Sequence, residues 1–263
     1  MESILSKDGT SIAYQRSGDG SPLILIHGAV ADHTRWQPVL APLEQQFTVY
    51  ALDRRGRGDS GDAEAYALER EFEDIAAIIE SIGEPVNVLA HSFGAFCALE
   101  AARLTSNIHK LILYEPPPPG VKGTLPPDTA ARMQRLMDSG DHEGVISTFL
   151  LEAARIPPAD LEKLRAAPSW HGRVAAAHTI LRENTGLEEQ PLFDATRFAS
   201  VHVPTLLLLG GDSPALYTDA IRTIHAALST SRVVILPGQQ HVAMNTAPDL
   251  FVREVLTFLT DNQ

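Results

Sequence analysis

Six short apolar runs, PLILI, FTVYAL, VNVLA, KLILY, TLLLL and RVVIL, recur between Pro22 and Leu236, and each is followed within a few residues by glycine or proline. A continuous run of that length is what a strand buried on both faces of a parallel sheet requires. Segments of helical periodicity separate most of them. They lie around Trp36 to Leu43, over Leu68 to Ser81 (Phe72, Ile75, Ile78, Ile79), from Phe93 onward, in YTDAIRTIHAAL, and after the last run in PDLFVREVLTFL. Upstream, SILSKDGTSIAYQRSG reads as two strands turning at Asp8-Gly9.

One interval breaks the alternation. EPPPPGVKGTLPP cannot be helix interior or central strand, because proline lacks the amide hydrogen and fixes φ. From there to about Ser200 only helical segments occur: DTAARMQRLMDSG, EGVISTFLLEAAR, PADLEKLRAA and GRVAAAHTILREN. The expectation is an α/β fold, with a mostly parallel sheet of eight strands, helices on both faces, and a helical cap inserted after the sixth strand. The core would comprise 1–115 and 201–263, and the cap 116–200. Right-handed crossovers place every loop that follows a parallel strand at the carboxyl edge of the sheet. HGAV, DRRGRGD, AHSFG, YEPP and PGQQH would share that edge, with the cap above it.

Composition removes several function classes. Of 263 residues, 21 are basic and 33 acidic, for a net charge of −12, which repels nucleic acid and anionic membrane surfaces. No apolar run reaches the ~18 residues of a membrane span. The start, MESILSKDGT, lacks a basic segment leading into an apolar stretch, so a cytoplasmic setting is expected. The single cysteine, Cys97, excludes an intrachain disulfide, fits a reducing compartment, and sits in a helix as a small packed residue. No H-E-x-x-H and no paired cysteines offer a metal site.

Ser92, in LAHSFGAF, stands where the VNVLA strand turns directly into a helix. A turn that sharp needs small residues two positions either side, here Ala90 and Gly94, and a left-handed backbone that lifts the hydroxyl above the sheet. The helix N-terminus behind it favours developing negative charge. A serine placed so can be a nucleophile, and the alternative is a simple helix cap.

LILIHGAV, ALDRRGRGDS, LAHSFGAF and LPGQQHVAMNTAPDLF, in that order and spacing, make nearly the whole chain resemble the α/β-hydrolase superfamily. That resemblance implies Ser92 as nucleophile and His241, in LPGQQH, as its base. It implies an oxyanion hole from the N–H groups of Ala29 and Phe93. His27 would shape its loop, and His91 would point away from His241. Asp53 would pin the DRRGRGD loop through Arg55 or neighbouring N–H groups.

The third member of the triad has two candidates. The family's usual acid follows the seventh strand, yet in GGDSPA that slot falls on Ser213, with Asp212 one residue early and pointing the other way. Glu115 ends the sixth strand, where some members carry their acid, and is the preferred choice; Asp212 is the alternative. Glu115, GGDSP and Pro168-Ser169-Trp170 also resemble features of fungal hydrolases that open resorcylic acid lactones such as zearalenone. Trp170 is then a candidate to stack on a substrate ring, or else a core residue of the cap.

The function implied is a serine hydrolase acting on a small carboxylic ester or lactone through an acyl-enzyme, without metal or organic cofactor. Rival readings are a carbon–carbon bond hydrolase or cofactor-free perhydrolase of the same fold, and a non-catalytic small-molecule receptor. The partner expected is the small-molecule ester or lactone, with neither nucleic acid nor membrane, and a homodimer left open.

Overall fold

The computed structural model of the protein describes residues 1–121, 125–154 and 156–261. Eight strands form one sheet: β1 (Glu2–Leu5), β2 (Ser11–Ser17), β3 (Ser21–Ile26), β4 (Phe47–Leu52), β5 (Val86–His91), β6 (Ile108–Tyr114), β7 (Thr205–Gly210) and β8 (Ser231–Leu236). Their spatial order is β1-β2-β4-β3-β5-β6-β7-β8. β1 and β2 pair antiparallel with each other, and β2 with β4; every pairing from β4 to β8 is parallel. The chain passes from β3 to β4 on one side and then returns to lay β5 on the other. That reversal opens a crevice at the carboxyl ends of β3 and β5, where ligands of open α/β sheets bind.

Alternation along each strand divides the core in two. Leu111 and Leu113 of β6 face one side; Ile112 and Tyr114 face the other. The first side is covered by α2 (Leu68–Ile82), α3 (Phe93–Ala101) and α9 (Ala215–Ala227), through Phe72, Ile75, Phe96, Leu99, Ile221 and Ile224. The second is covered by α1 (Gln37–Glu44) and α11 (Pro248–Thr260), through Val39, Leu43, Phe251, Val255 and Leu259. Every residue of α3 is buried, so this helix carries no polar stripe. Gly83 ends α2 with φ of 77°, a left-handed cap that glycine adopts without a Cβ penalty.

Between β6 and β7 lie α4 (Pro127–Asp138), α5 (His142–Thr148), α6 (Pro158–Arg165), α7 (Trp170–Ala175) and α8 (His178–Glu189), and no strand occurs there among the described residues. These helices bury an apolar cluster of their own, including Met133, Ile146, Leu150, Leu161 and Ile180, which also takes in Val30 from the sheet's carboxyl edge. Part of EPPPPGVKGTLPP, namely 122–124, lies outside the described residues, as does Arg155 at the end of EGVISTFLLEAAR.

Two helices predicted as single pieces are broken. EGVISTFLLEAAR leaves α5 as a π-turn over Phe149–Ala153, with the Ala154 N–H donating to the Phe149 carbonyl. GRVAAAHTILREN divides into α7 and α8 at Ala176-Ala177, where N–H groups of Ala177, Thr179 and Ile180 reach carbonyls only three residues back. The Thr179 hydroxyl also donates to the Ala176 carbonyl, at 2.6 Å. Neither break contains glycine or proline, so helical periodicity runs straight through it.

The DRRGRGD loop is braced through backbone N–H groups, one of the two expected arrangements. Asp53 accepts hydrogen bonds from the backbone N–H groups of His33 (2.8 Å) and Asp59 (3.0 Å), and pairs with the His33 ring at 2.9 Å. Arg55 does not serve it; its guanidinium forks onto Asp74 at 2.7 Å and reaches Asp8 at 3.0 Å. A Cβ on Gly58 would fall 2.1 Å from the Asp53 carboxylate, which is why the loop needs glycine there.

Arg54 and Arg57 from the same loop meet Glu71 of α2 and Glu183 of α8 in a buried cluster. Arg54 contacts Glu71 at 2.9 Å and Glu183 at 2.5 Å, Arg57 also pairs with Glu183, and Arg57 donates to Thr179 at 2.8 Å. Burial pushes the Glu183 carboxyl up, and the two guanidinium charges more than offset it, so its pKa is lowered. This cluster ties the helical insertion to the sheet. Removing one partner of a buried pair leaves an uncompensated charge, which costs roughly 3–5 kcal/mol. Glu183→Ala should therefore lower the urea midpoint by that free energy, and Glu183→Gln by less. A loss below about 1 kcal/mol would mean the cluster behaves like a solvated surface pair.

Candidate active site

The carboxyl ends of β3, β5, β6 and β8 bring together residues far apart in the chain. Ser92 sits between β5 and α3 with φ of 55° and ψ of −128°. Its N–H donates to the Tyr114 carbonyl at 2.8 Å, and its own carbonyl accepts from Ala95 (2.8 Å) and Phe96 (3.1 Å). The backbone is thus anchored on both sides while the hydroxyl is left clear of the strand. Small neighbours are a steric demand: a Cβ on Gly94 would fall 2.3 Å from the His27 carbonyl oxygen, and one on Gly28 would fall 2.8 Å from the Ser92 Cβ. The loop after β3 is pressed directly against the turn.

His241 lies in the loop between β8 and the short helix α10 (Ala243–Thr246). Its Nε2 is 2.9 Å from the Ser92 hydroxyl, and its Nδ1 is 2.6 Å from Glu115 Oε2. Glu115 is fully buried just past β6, with φ of 47°. Its second oxygen accepts the Gly210 N–H at 2.7 Å and the Ser213 hydroxyl at 2.5 Å. Ser213, which stands where the family commonly has its acid, instead supplies a donor to the acid from the neighbouring strand. Asp212 is exposed and its backbone N–H donates to the Gln239 carbonyl at 2.9 Å, so of the two candidate acids Glu115 is the one bonded to the imidazole.

Among the described residues, the non-glycine positions with left-handed φ are Val30 (50°), Ser92 and Glu115, all at this edge. Each costs ~1–3 kcal/mol and persists only where its surroundings impose it. At Val30 the restraint comes from the insertion: Arg173 of α7 donates to the Val30 carbonyl at 2.7 Å. Phe93 opens α3, so its N–H belongs to the first helical turn, whose donors no intrahelical carbonyl can take. Ala29 precedes Val30 in the loop that Gly28 brings against Ser92. His27 bonds within that region, Nδ1 to the Gly28 carbonyl at 2.8 Å and Nε2 accepting from the Arg54 N–H at 3.1 Å. Trp170 is placed in the apolar cluster of the insertion, buried, at the start of α7.

Three contacts were not foreseen. His91 does not point away: its Nε2 donates to the His241 carbonyl at 2.7 Å, and the two rings lie 4.6 Å apart. Burial, with the charges of His241 and Arg35, holds the His91 pKa well below the ordinary histidine range, so it is a neutral donor. Tyr114, opposite His91 in the β5–β6 register, donates to the Gln240 carbonyl and accepts from the Ala243 N–H at 3.1 Å. Both residues face the α11 side of the sheet, against which the His241 loop folds, and strand alternation alone could have flagged that side. Tyr217 of α9 stacks on the His241 ring with centroids 4.4 Å apart and planes at 18°, its hydroxyl 3.4 Å from Nε2. Nothing in its local sequence marks it.

A hydroxyl, an imidazole and a carboxylate in one hydrogen-bonded line can make serine a nucleophile, with N–H donors at the helix start available to an oxyanion. Among the described residues no group of three or more His, Cys, Asp or Glu side chains is arranged to hold a metal ion. No helix among them is long and apolar enough to cross a membrane.

The model of the alpha/beta hydrolase family matches residues 23–254. A putative carbamate hydrolase RutD from Enterobacter cloacae is 26% identical over 250 residues, covering 89% of each chain. The crystal structure of an alpha/beta hydrolase from Sphaerobacter thermophilus superimposes with a TM-score of 0.84 at 36% identity, over 98% of this chain and 100% of that one. An enol-lactonase structure from Burkholderia xenovorans gives a TM-score of 0.77 at 19% identity, over 99% and 100%. The sheet order, the strand-to-helix serine turn and these matches have one conclusion: the chain belongs to the alpha/beta hydrolase family.

Proposed function

We propose that the protein is a serine hydrolase that cleaves a small carboxylic ester or lactone through an acyl-enzyme on Ser92. The observation that carries this reading is the continuous line Ser92–His241–Glu115, at 2.9 and 2.6 Å. Ser92 Oγ attacks the acyl carbon as its proton passes to His241 Nε2. Glu115 holds the Nδ1–H tautomer and stabilises the imidazolium that forms. The oxyanion is received by the N–H groups of Ala29 and Phe93, where one lost donor typically costs ~10²–10³ in kcat. The Nε2 proton then passes to the leaving oxygen. A water gives its proton to Nε2, its oxygen attacks the ester carbon, and Ser92 recovers its proton as the acid departs.

The division into a core of 1–115 and 201–263 and a cap of 116–200 fits this chemistry. The cap covers the carboxyl edge, and its Arg173 and Glu183 grip the loops after β3 and β4. The expected partner is a small-molecule ester or lactone, in a reducing cytoplasm. Carbamate cleavage is the second reading, favoured by the RutD similarity, and proceeds by the same serine attack with a nitrogen leaving group.

Ser92→Ala should abolish labelling by a fluorophosphonate and the burst of nitrophenol from p-nitrophenyl acetate; labelling that persists elsewhere on the chain overturns the nucleophile, and ligand-induced stabilisation without turnover in wild type supports a receptor. Glu115→Gln should lower kcat by about 10²–10⁴-fold, while Asp212→Asn stays close to wild type; the opposite ranking moves the acid to Asp212. Trp170→Ala should raise KM for a bulky aromatic lactone more than for an acetate ester. Equal effects on both substrates assign Trp170 to cap packing.

A further inference from the structure

The triad chemistry leaves Tyr217 without a task, yet its phenol lies against the nitrogen that handles every proton. The residue sits in the first turn of α9, partly buried and packed against the core on the α3 side of the sheet. Burial, with the negative charge of Glu115, pushes its pKa up, so the hydroxyl stays a neutral donor through the working range. The Ser92 hydroxyl, at 2.9 Å, already occupies the Nε2 lone pair. The 3.4 Å from Tyr217 to the same nitrogen is long for a bond between the two. An atom bonded to Nε2 at about 2.8 Å can approach the same phenol. Nε2 must approach two such atoms in each cycle: the departing heteroatom, then the attacking water.

We propose that the Tyr217 hydroxyl receives the leaving-group heteroatom and then the hydrolytic water at His241, while its ring holds the imidazole in place. This rests on the acyl-enzyme reading of Ser92. In acylation the phenol O–H donates a hydrogen bond to the leaving oxygen as the carbon–oxygen bond breaks and Nε2 delivers its proton there. Once the alcohol has gone, a water takes its place. Tyr217 orients this water, Nε2 accepts the water's proton, and the new carbon–oxygen bond forms as the Ser92 ester is cleaved. Tyr217 itself neither gains nor loses a proton. The stacked ring adds a second effect: packed at 4.4 Å, it restricts rotation of the imidazole.

The test compares wild type, Tyr217→Phe and Tyr217→Leu on p-nitrophenyl acetate and on an alkyl acetate. Nitrophenolate leaves without protonation, so acylation by the activated ester needs no help at the leaving oxygen. Tyr217→Phe should keep the burst amplitude and kcat/KM on that substrate. Its deacylation rate should fall about 10-fold, with kcat and KM falling together. On the alkyl ester kcat/KM should fall as well. Tyr217→Leu should in addition slow the burst on p-nitrophenyl acetate, which Tyr217→Phe leaves at the wild-type rate, because only the leucine removes the ring that packs on the imidazole. A wild-type deacylation rate in Tyr217→Phe, with an unchanged ratio between the two esters, overturns the hydroxyl's role. A burst in Tyr217→Leu as fast as in Tyr217→Phe overturns the ring's role. Absence of any Ser92-dependent burst in wild type overturns the acyl-enzyme reading itself, an outcome distinct from either of these.

Discussion

The close approach of the β3 loop to the turn after β5 is the constraint on which the rest of the site depends. Two glycines permit it: Gly28, set against the Ser92 side chain, and Gly94, set against the carbonyls of Ile26 and His27. At these separations a Cβ overlaps its neighbours, so the contact exists only with bare backbone on one side. It brings the backbone of the β3 loop against the start of α3. It also forces Ser92 into a left-handed conformation that its hydrogen bonds to β6 and α3 sustain.

The imidazole is held from several directions at once. Glu115 fixes one nitrogen, Tyr217 lies along the ring, and His91 and Tyr114 hold the main chain on either side of it. Glu115 is itself immobilised by Gly210 and Ser213, so the line of bonds runs across β5, β6, β7 and the β8 loop. A loop carrying a histidine would otherwise sample many positions, and catalytic groups misplaced by about 1 Å lose much of their effect. Here the rigidity of the sheet is transmitted to a loop residue through hydrogen bonds and ring contacts.

The helical insertion meets the same edge through charge as well as apolar packing. Arg54 and Arg57 arise from the loop after β4, and their partner Glu183 lies more than a hundred residues downstream. A buried cluster of this kind gains little over an apolar contact in net stability. Its geometry, however, is directional. Together with Arg173 on the Val30 carbonyl, it fixes where the insertion sits over the crevice.

Much of this was legible in the residues alone, because it follows from local pattern. Continuous apolar runs gave six strands, the turn at Asp8-Gly9 gave the other two, and helical periodicity gave the helices and the strandless interval. The small residues around Ser92 marked the sharp turn, since sterics at i±2 are local. The resemblance to α/β-hydrolases, through LPGQQH after the final strand, pointed to His241. Glu115 was preferred to Asp212 on strand parity, side-chain length and the resemblance to members that carry their acid after the sixth strand; its carboxylate lies 2.6 Å from His241 Nδ1. The breaks at Phe149–Ala153 and Ala176-Ala177 were invisible, because no glycine or proline announces them. Of the two partners expected for Asp53, Arg55 goes to Asp74 instead, because adjacency in the chain says nothing about which loop faces which carboxylate. His91, Tyr114 and Tyr217 became part of the site only when distant elements packed together. Their side chains carry no motif, and what makes them matter is distance to His241, which the sequence determines through the fold and does not display along the chain.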